Sequence, residues 1–227
     1  NAPVSVLRKL RDENSERGYD EAVWQQMVEL GWPGMAVAEE HGGFEFGYAG
    51  LGVVLEESGR TLVNSPLIAS VLFGASLISE AGSAEQKSAL LPKVVSGKLL
   101  LAVAIDEAPV HKPRHVNTKA KKDGDHYILN GEKTFVLDGH VANKLIIVAR
   151  TEGDVESTAG VSLFLVDSDA QGLEVRRTLM VDNRNAARLT LQQVKVPAES
   201  LLGEEGTGFK ALDRVLDIVR IGVAAEM

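Results

Sequence analysis

The residues best suited to chemistry fall in two stretches. The first is AIDEAPVHKPRH, residues 104–115, where Asp106 and Glu107 close a short apolar run and His111, Lys112, Arg114 and His115 follow. Two adjacent carboxylates at a strand end could tune a site or could simply be solvated, and the residues alone leave both open. The basic side chains, joined by Lys119, Lys121 and Lys122, could draw phosphate groups through their summed field, or could be a wet surface beside a hairpin. The second stretch is NGEKTFVLDG, residues 130–139, whose Phe135 could stack on a planar ring or fill a core. Further on, Arg184 and Arg188 in VDNRNAAR could serve a ligand or pair with Asp182 or Asp217. Glu56, Glu57 and Arg60 lie within one helical turn and read as structural ion pairs.

Other chemistries are excluded. The 227 residues contain no cysteine, which removes disulfides, zinc–cysteine sites, iron–sulfur clusters and cysteine nucleophiles. No histidine pair has metal-ligand spacing, and no glycine-rich loop stands in a dinucleotide-fold or P-loop context, so no metal is expected. The net charge is −8, and residues 1–97 carry 13 acidic against 7 basic side chains, which argues against a nucleic-acid surface. No apolar run approaches the roughly 18–20 residues of a membrane span, so no membrane partner is expected. The absence of cysteine, and of the basic start and apolar run of a signal peptide, suits a reducing, cytoplasmic setting.

The elements that must position these residues change character near Gly97. Before it the apolar residues recur at helical spacing. Asp20 caps a helix bearing Val23, Met27 and Leu30, and a second spans about Tyr48 to Ser58. Ser65-Pro66 opens a third carrying Leu67, Val71, Leu72 and Ile78. Ser83–Gln86 reads as a capping box for a fourth, with a kink expected at Pro92. Residues 4–13 form another helix. After Gly97 the period becomes two, with Asp123-Gly124 and Asn130-Gly131 as two-residue hairpin signals and about seven short strands in all. The expected fold class is α+β: an N-terminal all-α bundle at 1–97, a β-barrel at 98–203, and a helix opening at 204–227.

This order of elements carries a resemblance. GWPGMAVAEEHGGFEFGYAGLGVVLEESGRTL (31–62) resembles the acyl-CoA dehydrogenase N-terminal domain, with Glu39–Glu40, Gly42–Gly43 and Glu56 to Arg60 in step. NGEKTFVLDGHVANKLIIVART (130–151), VSLFLVDSDAQGLEV (161–175) and VKVPAESLLGEEGTGF (194–209) are similar to three later segments of that family, in the family's order. The resemblance covers nearly the whole chain.

It implies FAD-dependent oxidation of an acyl-CoA thioester to the 2,3-enoyl-CoA. Carried over residue by residue, it puts Ile105, Asp106, Glu107, Phe135, Val136 and Leu137 at the flavin, and His111, Arg114 and Arg184 at the substrate. Backbone N–H groups at 105–107 and 136–137 would bind the pyrimidine edge of the ring. Two departures stand out. Asp106 replaces the usual threonine and the GAGSD turn is missing; Leu137 replaces a serine or threonine and cannot donate a hydroxyl hydrogen bond. The resemblance also implies a following helical domain of about 150 residues that supplies the base carboxylate, so no catalytic residue is assigned here. Electron-transfer flavoprotein or a similar acceptor, and homo- or hetero-oligomerisation, are the implied partners. A flavin-poor partner subunit, and an oxidase or monooxygenase on the same fold, are the alternatives. Leu212, Val215, Leu216, Val219 and Val223 form an apolar stripe whose cover is expected to lie in that further domain. Without it the helix should pair with a copy, fold onto the barrel where flavin lies, or fray.

Overall fold

The computed structural model describes residues 3–181 and 184–227. The helical half runs α1 (Val4–Asp12), α2 (Glu21–Glu29), α3 (Gly47–Gly59), a π-wound segment Leu67–Ala75 continuing as α4 (Ser76–Ala81), and α5 (Ala84–Val95). Asp20 caps α2 through a 2.9 Å bond from Val23 N–H. The capping box on α5 is complete, with Ser83 and Gln86 each holding the other's backbone N–H. Pro92 lies inside α5.

The segment after Pro66 differs from the expected α-helix. It is wound wider, as a π-helix, and it packs against Leu101 at very short range. A Cβ on Gly74 would lie 2.5 Å from Leu101 Cβ. Ser70 is fully buried and its Oγ accepts the N–H of Leu101 at 3.0 Å. Wide turns of this kind recur where a helix meets a functional site.

Eight strands follow: β1 (Leu101–Ala104), β2 (Lys119–Asp123), β3 (His126–Leu137), β4 (Lys144–Arg150), β5 (Val161–Asp167), β6 (Leu173–Leu179), β7 (Asn185–Pro197) and β8 (Leu201–Leu202). Their order in the sheet is β6-β7-β3-β2-β4-β5-β8, with β1 parallel to β4. Alternation along the central strands splits the core in two. Leu101 and Val103 of β1, Ile146 and Val148 of β4, and Leu163 and Leu165 of β5 face the helices. Ala102, Ile147 and Phe164 face inward with Leu129 and Leu189. Tyr127 of β3 and Phe164 of β5 are not on paired strands, yet their rings meet at 4.9 Å. The sheet therefore curls around its own inner face.

Asp123-Gly124 does open the β2–β3 hairpin, with Asp123 opposite His126. Asn130-Gly131 does not turn the chain. It sits inside β3, where the register against β7 slips between Leu129 and Gly131. Gly131 has φ 154°, and a Cβ there would lie 2.7 Å from Thr118 Cα. The glycine permits a bulge and a close backbone approach rather than a hairpin.

The last helix, α6 (Gly208–Glu226), corrects the expectation for its stripe. Leu212, Val215 and Leu216 are buried, and Val219 and Val223 pack on the same core. The cover comes from within the chain. Gly208 abuts Leu163 of β5, Gly222 abuts Leu72 and Leu55, and Gly59 lies against Glu226. Each fully buried side chain of this size is worth about 1.5–3 kcal/mol, so α3 and the π-wound segment hold α6 down. The helix ends as a wall of the apolar cavity described next.

Candidate active site

Four elements line an open cavity of 530 Å³. The π-wound segment gives Ile68, Ala69 and Phe73; the end of β1 gives Val103, Ile105 and Asp106; the end of β3 gives Phe135 and Leu137; α6 gives Leu216, Val219 and Val223. His111 and Arg220 sit at its rim. Mostly apolar walls with a few polar groups are what small-molecule sites show. Phe135 has φ 52° and remains 50% exposed. An exposed phenylalanine held in the left-handed region is costly, and here it lines this cavity on one side and a second, basic cavity on the other.

The loop after β1 is pinned by a buried ion pair. Glu107 accepts from Asn117 N–H at 2.6 Å, Thr118 N–H at 2.9 Å and Lys133 Nζ at 2.7 Å. Lys133 is fully buried and also donates to the Ile105 carbonyl at 3.0 Å. Burial pushes the Lys133 ammonium down to about 8, with Glu107 pulling the other way. Burial would raise the Glu107 carboxyl, but Lys133 and the hydrogen bonds hold it below its ordinary value. Asp106 Oδ1 accepts from Lys112 N–H at 2.9 Å, its Oδ2 meets His111 Nδ1 at 2.8 Å, and its carbonyl accepts from Thr134 N–H at 2.7 Å. The backbone N–H groups of Asp106 and Glu107 donate to no protein acceptor among the described residues.

A second polar cluster lies past the end of β3. Asp138 has φ 53°, and its Oδ2 is sealed from solvent with no hydrogen-bond partner among the described residues. Burial pushes its carboxyl up to about 7; Arg184 opposes this and Glu226 adds to it. Arg184 and Glu226 form an ion pair that ties the loop before β7 to the last turn of α6. His140 approaches the Arg17 carbonyl through Nε2 at 3.2 Å, and its buried Nδ1 has no hydrogen-bond partner among the described residues. Burial foremost holds this imidazole below its usual range.

The residues singled out from the sequence thus fall into two groups. Ile105, Asp106, His111, Phe135 and Leu137 line one cavity, with Glu107 and Val136 directly behind it. Arg114 does not line it: its guanidinium lies 5.9 Å from the Phe209 ring centroid. Arg184 does not line it either, being committed to Glu226 on α6. Asp217 pairs with Arg220 at 2.7 Å rather than with an arginine of the β7 loop, and Asp182 lies outside the described residues. Sequence reasoning missed Lys133, Asp138 and His140. For Lys133 a signal existed, a lone lysine after Gly131 in a run of strand-forming residues. Asp138 and His140 gave none, because their burial depends on α6 and on the carbonyl of Arg17.

Comparison with known proteins fits this geometry. Residues 5–98 match the description "Acyl-CoA dehydrogenase, N-terminal domain" and residues 111–194 match "Acyl-CoA dehydrogenase, middle domain". The chain belongs to the acyl-CoA dehydrogenase family. It is 33% identical over 210 residues to the mitochondrial long-chain specific acyl-CoA dehydrogenase of Sus scrofa, covering 89% of this chain and 48% of that protein. It is 30% identical to the short-chain specific acyl-CoA dehydrogenase of Clostridium acetobutylicum, covering 89% and 55%. Among solved structures, butyryl-CoA dehydrogenase from Megasphaera elsdenii superposes with TM-score 0.83 at 30% identity, covering 97% of this chain and 60% of that one. The chain spans about half the length of the curated relatives it matches. Among the described residues no helix is long and apolar enough to cross a membrane, and no cluster of three metal-binding side chains occurs.

Proposed function

We propose that this chain forms the flavin and thioester side of an enzyme that oxidises an acyl-CoA to its 2,3-enoyl-CoA. The observation that carries the reading is the cavity of 530 Å³ in which Ile105, Asp106, Phe135 and Leu137, drawn from two separate strand ends, converge. The residues fit the cofactor that the family implies. An apolar cavity beside a half-exposed aromatic suits a flat tricyclic ring, and the free N–H groups of Asp106 and Glu107 are donors for its polar edge. FAD, when bound, supplies the hydride-accepting chemistry. The chain's part is to hold the ring by those donors, to keep the loop in place through Glu107 and Lys133, and to exclude water with α6 and the π-wound segment.

Abstraction of the α proton needs a carboxylate aimed into the cavity. Among the described residues that line the cavity the only acid is Asp106, and it is already tied to His111 and Lys112 N–H. The resemblance assigns the base to helices beyond α6, so this chain alone should turn over about 10²–10⁴-fold more slowly than a protein that carries them. In a longer protein holding these residues, acyl-CoA should reduce a redox dye. Dye reduction at an equal rate by residues 1–227 alone would contradict the assignment.

One observation favours a second reading, a partner subunit that keeps the fold without flavin. Leu137 offers no hydroxyl where the family has one. Purified protein separates the two directly: a flavin absorbance band after gel filtration supports the first, and colourless protein that FAD cannot reconstitute supports the second.

A further inference from the structure

The loop after β1 carries a pair of side chains that the oxidation leaves unused. Asp106 Oδ2 meets His111 Nδ1 at 2.8 Å, and Asp106 Oδ1 is fixed by the Lys112 N–H at 2.9 Å. The carboxylate is only 16% exposed, whereas the imidazole is 50% exposed and within reach of water. A carboxylate oxygen at Nδ1 calls for a hydrogen there, so the neutral ring carries its lone pair on Nε2. Nε2 has no hydrogen-bond partner among the described residues. His111 and Asp106 both line the apolar cavity, and the third charged side chain there, Arg220 of α6, is paired with Asp217 at 2.7 Å. β3 and the π-wound segment bring only apolar side chains to it. The Glu107–Lys133 pair behind the loop is closed on itself at 2.7 Å.

A histidine–carboxylate contact by itself is a surface ion pair. Here it stands at an apolar cavity, on the same loop as the Asp106 and Glu107 N–H groups that donate to no protein acceptor among the described residues. A base of fixed tautomer, a carboxylate that orients it and unused N–H donors are the parts that acyl transfer to water requires. We infer that His111, oriented by Asp106, is a general base that hydrolyses a thioester of an apolar acid seated in this cavity. Nε2 takes a proton from a water molecule as the water oxygen bonds to the thioester carbonyl carbon, whose π electrons move onto the carbonyl oxygen. The N–H groups at 106 and 107 stabilise that oxyanion. Its collapse breaks the C–S bond, and the imidazolium returns the proton to the leaving thiolate. The products are a carboxylic acid and a thiol, and no oxidant is consumed. This activity takes the acyl thioester from the proposed function but not the flavin. The two uses exclude each other, because one pair of N–H groups cannot hold a flavin edge and an oxyanion at once.

The test is release of thiol from octanoyl-CoA by this chain without added flavin, followed with a thiol-reactive dye. The chain has no cysteine, so the dye reads product alone. Saturable hydrolysis is expected, with kcat about 10²-fold lower in His111→Gln. In the parent kcat should rise from about pH 5 to 8, the range in which imidazoles lose their proton. Asp106→Asn should lower kcat while leaving KM unchanged, as a positioning residue does and a wall of the cavity does not. Urea unfolding midpoints matching the parent's show that the variants are folded. No hydrolysis by the parent, or equal hydrolysis by parent and His111→Gln, overturns the proposal. Flavin absorbance is scored separately. Colourless protein that hydrolyses octanoyl-CoA supports this inference and fails the flavin reading, whereas yellow protein that does not hydrolyse it after the flavin is removed overturns this inference alone.

Discussion

The two polar clusters that flank Phe135 are built on opposite plans. Before it, Glu107 and Lys133 form a closed network, with four bonds from N–H and ammonium donors satisfying the carboxylate and the Ile105 carbonyl. After it, Asp138 and His140 are left with buried atoms that find no hydrogen-bond partner among the described residues. The first plan fixes a loop in one geometry. The second leaves charge poorly neutralised at the point where the last turn of α6 meets the sheet, so its balance moves with pH. The two lie five residues apart yet meet different neighbours: Lys133, inside β3, reaches the loop after β1, whereas Asp138, just past the end of β3, faces Arg184 and Glu226 of α6.

The closed network should be the more fragile to a single change. Lys133→Met leaves Glu107 buried without its cation and should cost about 3–5 kcal/mol, read by urea unfolding. Lys133→Met combined with Glu107→Leu should recover a large part of that loss. If the double variant is as unstable as the single one, the ion pair is not the source of the cost.

The open cluster should respond to pH. The Asp138 carboxyl is raised from 3.8 to about 7, so the folded chain keeps a proton that the unfolded chain releases across that window. Its stabilising contribution is therefore full below about pH 4 and is lost as pH rises through about 7. Asp138→Asn should remove this slope and make the chain about 1–2 kcal/mol more stable than the parent at pH 8, with little difference at pH 4. Parallel stability–pH curves for parent and variant would mean that the carboxyl is already ionised.

The smallest effect belongs to the partly exposed pair. Arg184→Gln should cost less than about 1 kcal/mol globally, yet speed amide exchange in residues 222–226 relative to 212–216. Equal exchange in both segments would show that Arg184 does not hold the end of α6.

These contrasts bear on what the sequence could show. Local signals were readable because their physics is local. Asp20 and Ser83 cap the helices they were expected to cap, and Asp123-Gly124 turns the hairpin. Asn130-Gly131 has the same local chemistry but is overruled by the close approach of Thr118, which only the assembled sheet reveals. The cover of the α6 stripe is likewise a long-range fact, since Leu55 and Leu72 lie more than a hundred residues away in the chain. At the site, the convergence of residues 105–111 with 135–137 followed from motif order. The diversion of Arg114 to Phe209 and of Arg184 to Glu226 did not, because long side chains choose partners by three-dimensional proximity.

The central claim is that Phe135 and the free N–H groups at 106 and 107 form a flavin face. FAD fluorescence titration of this chain against Phe135→Ala tests it most directly. The expected result is quenching on binding to the parent and affinity about 10-fold weaker in the variant, in line with an aromatic contact plus its buried area. Equal affinity in the two proteins, or no quenching by either, would contradict it.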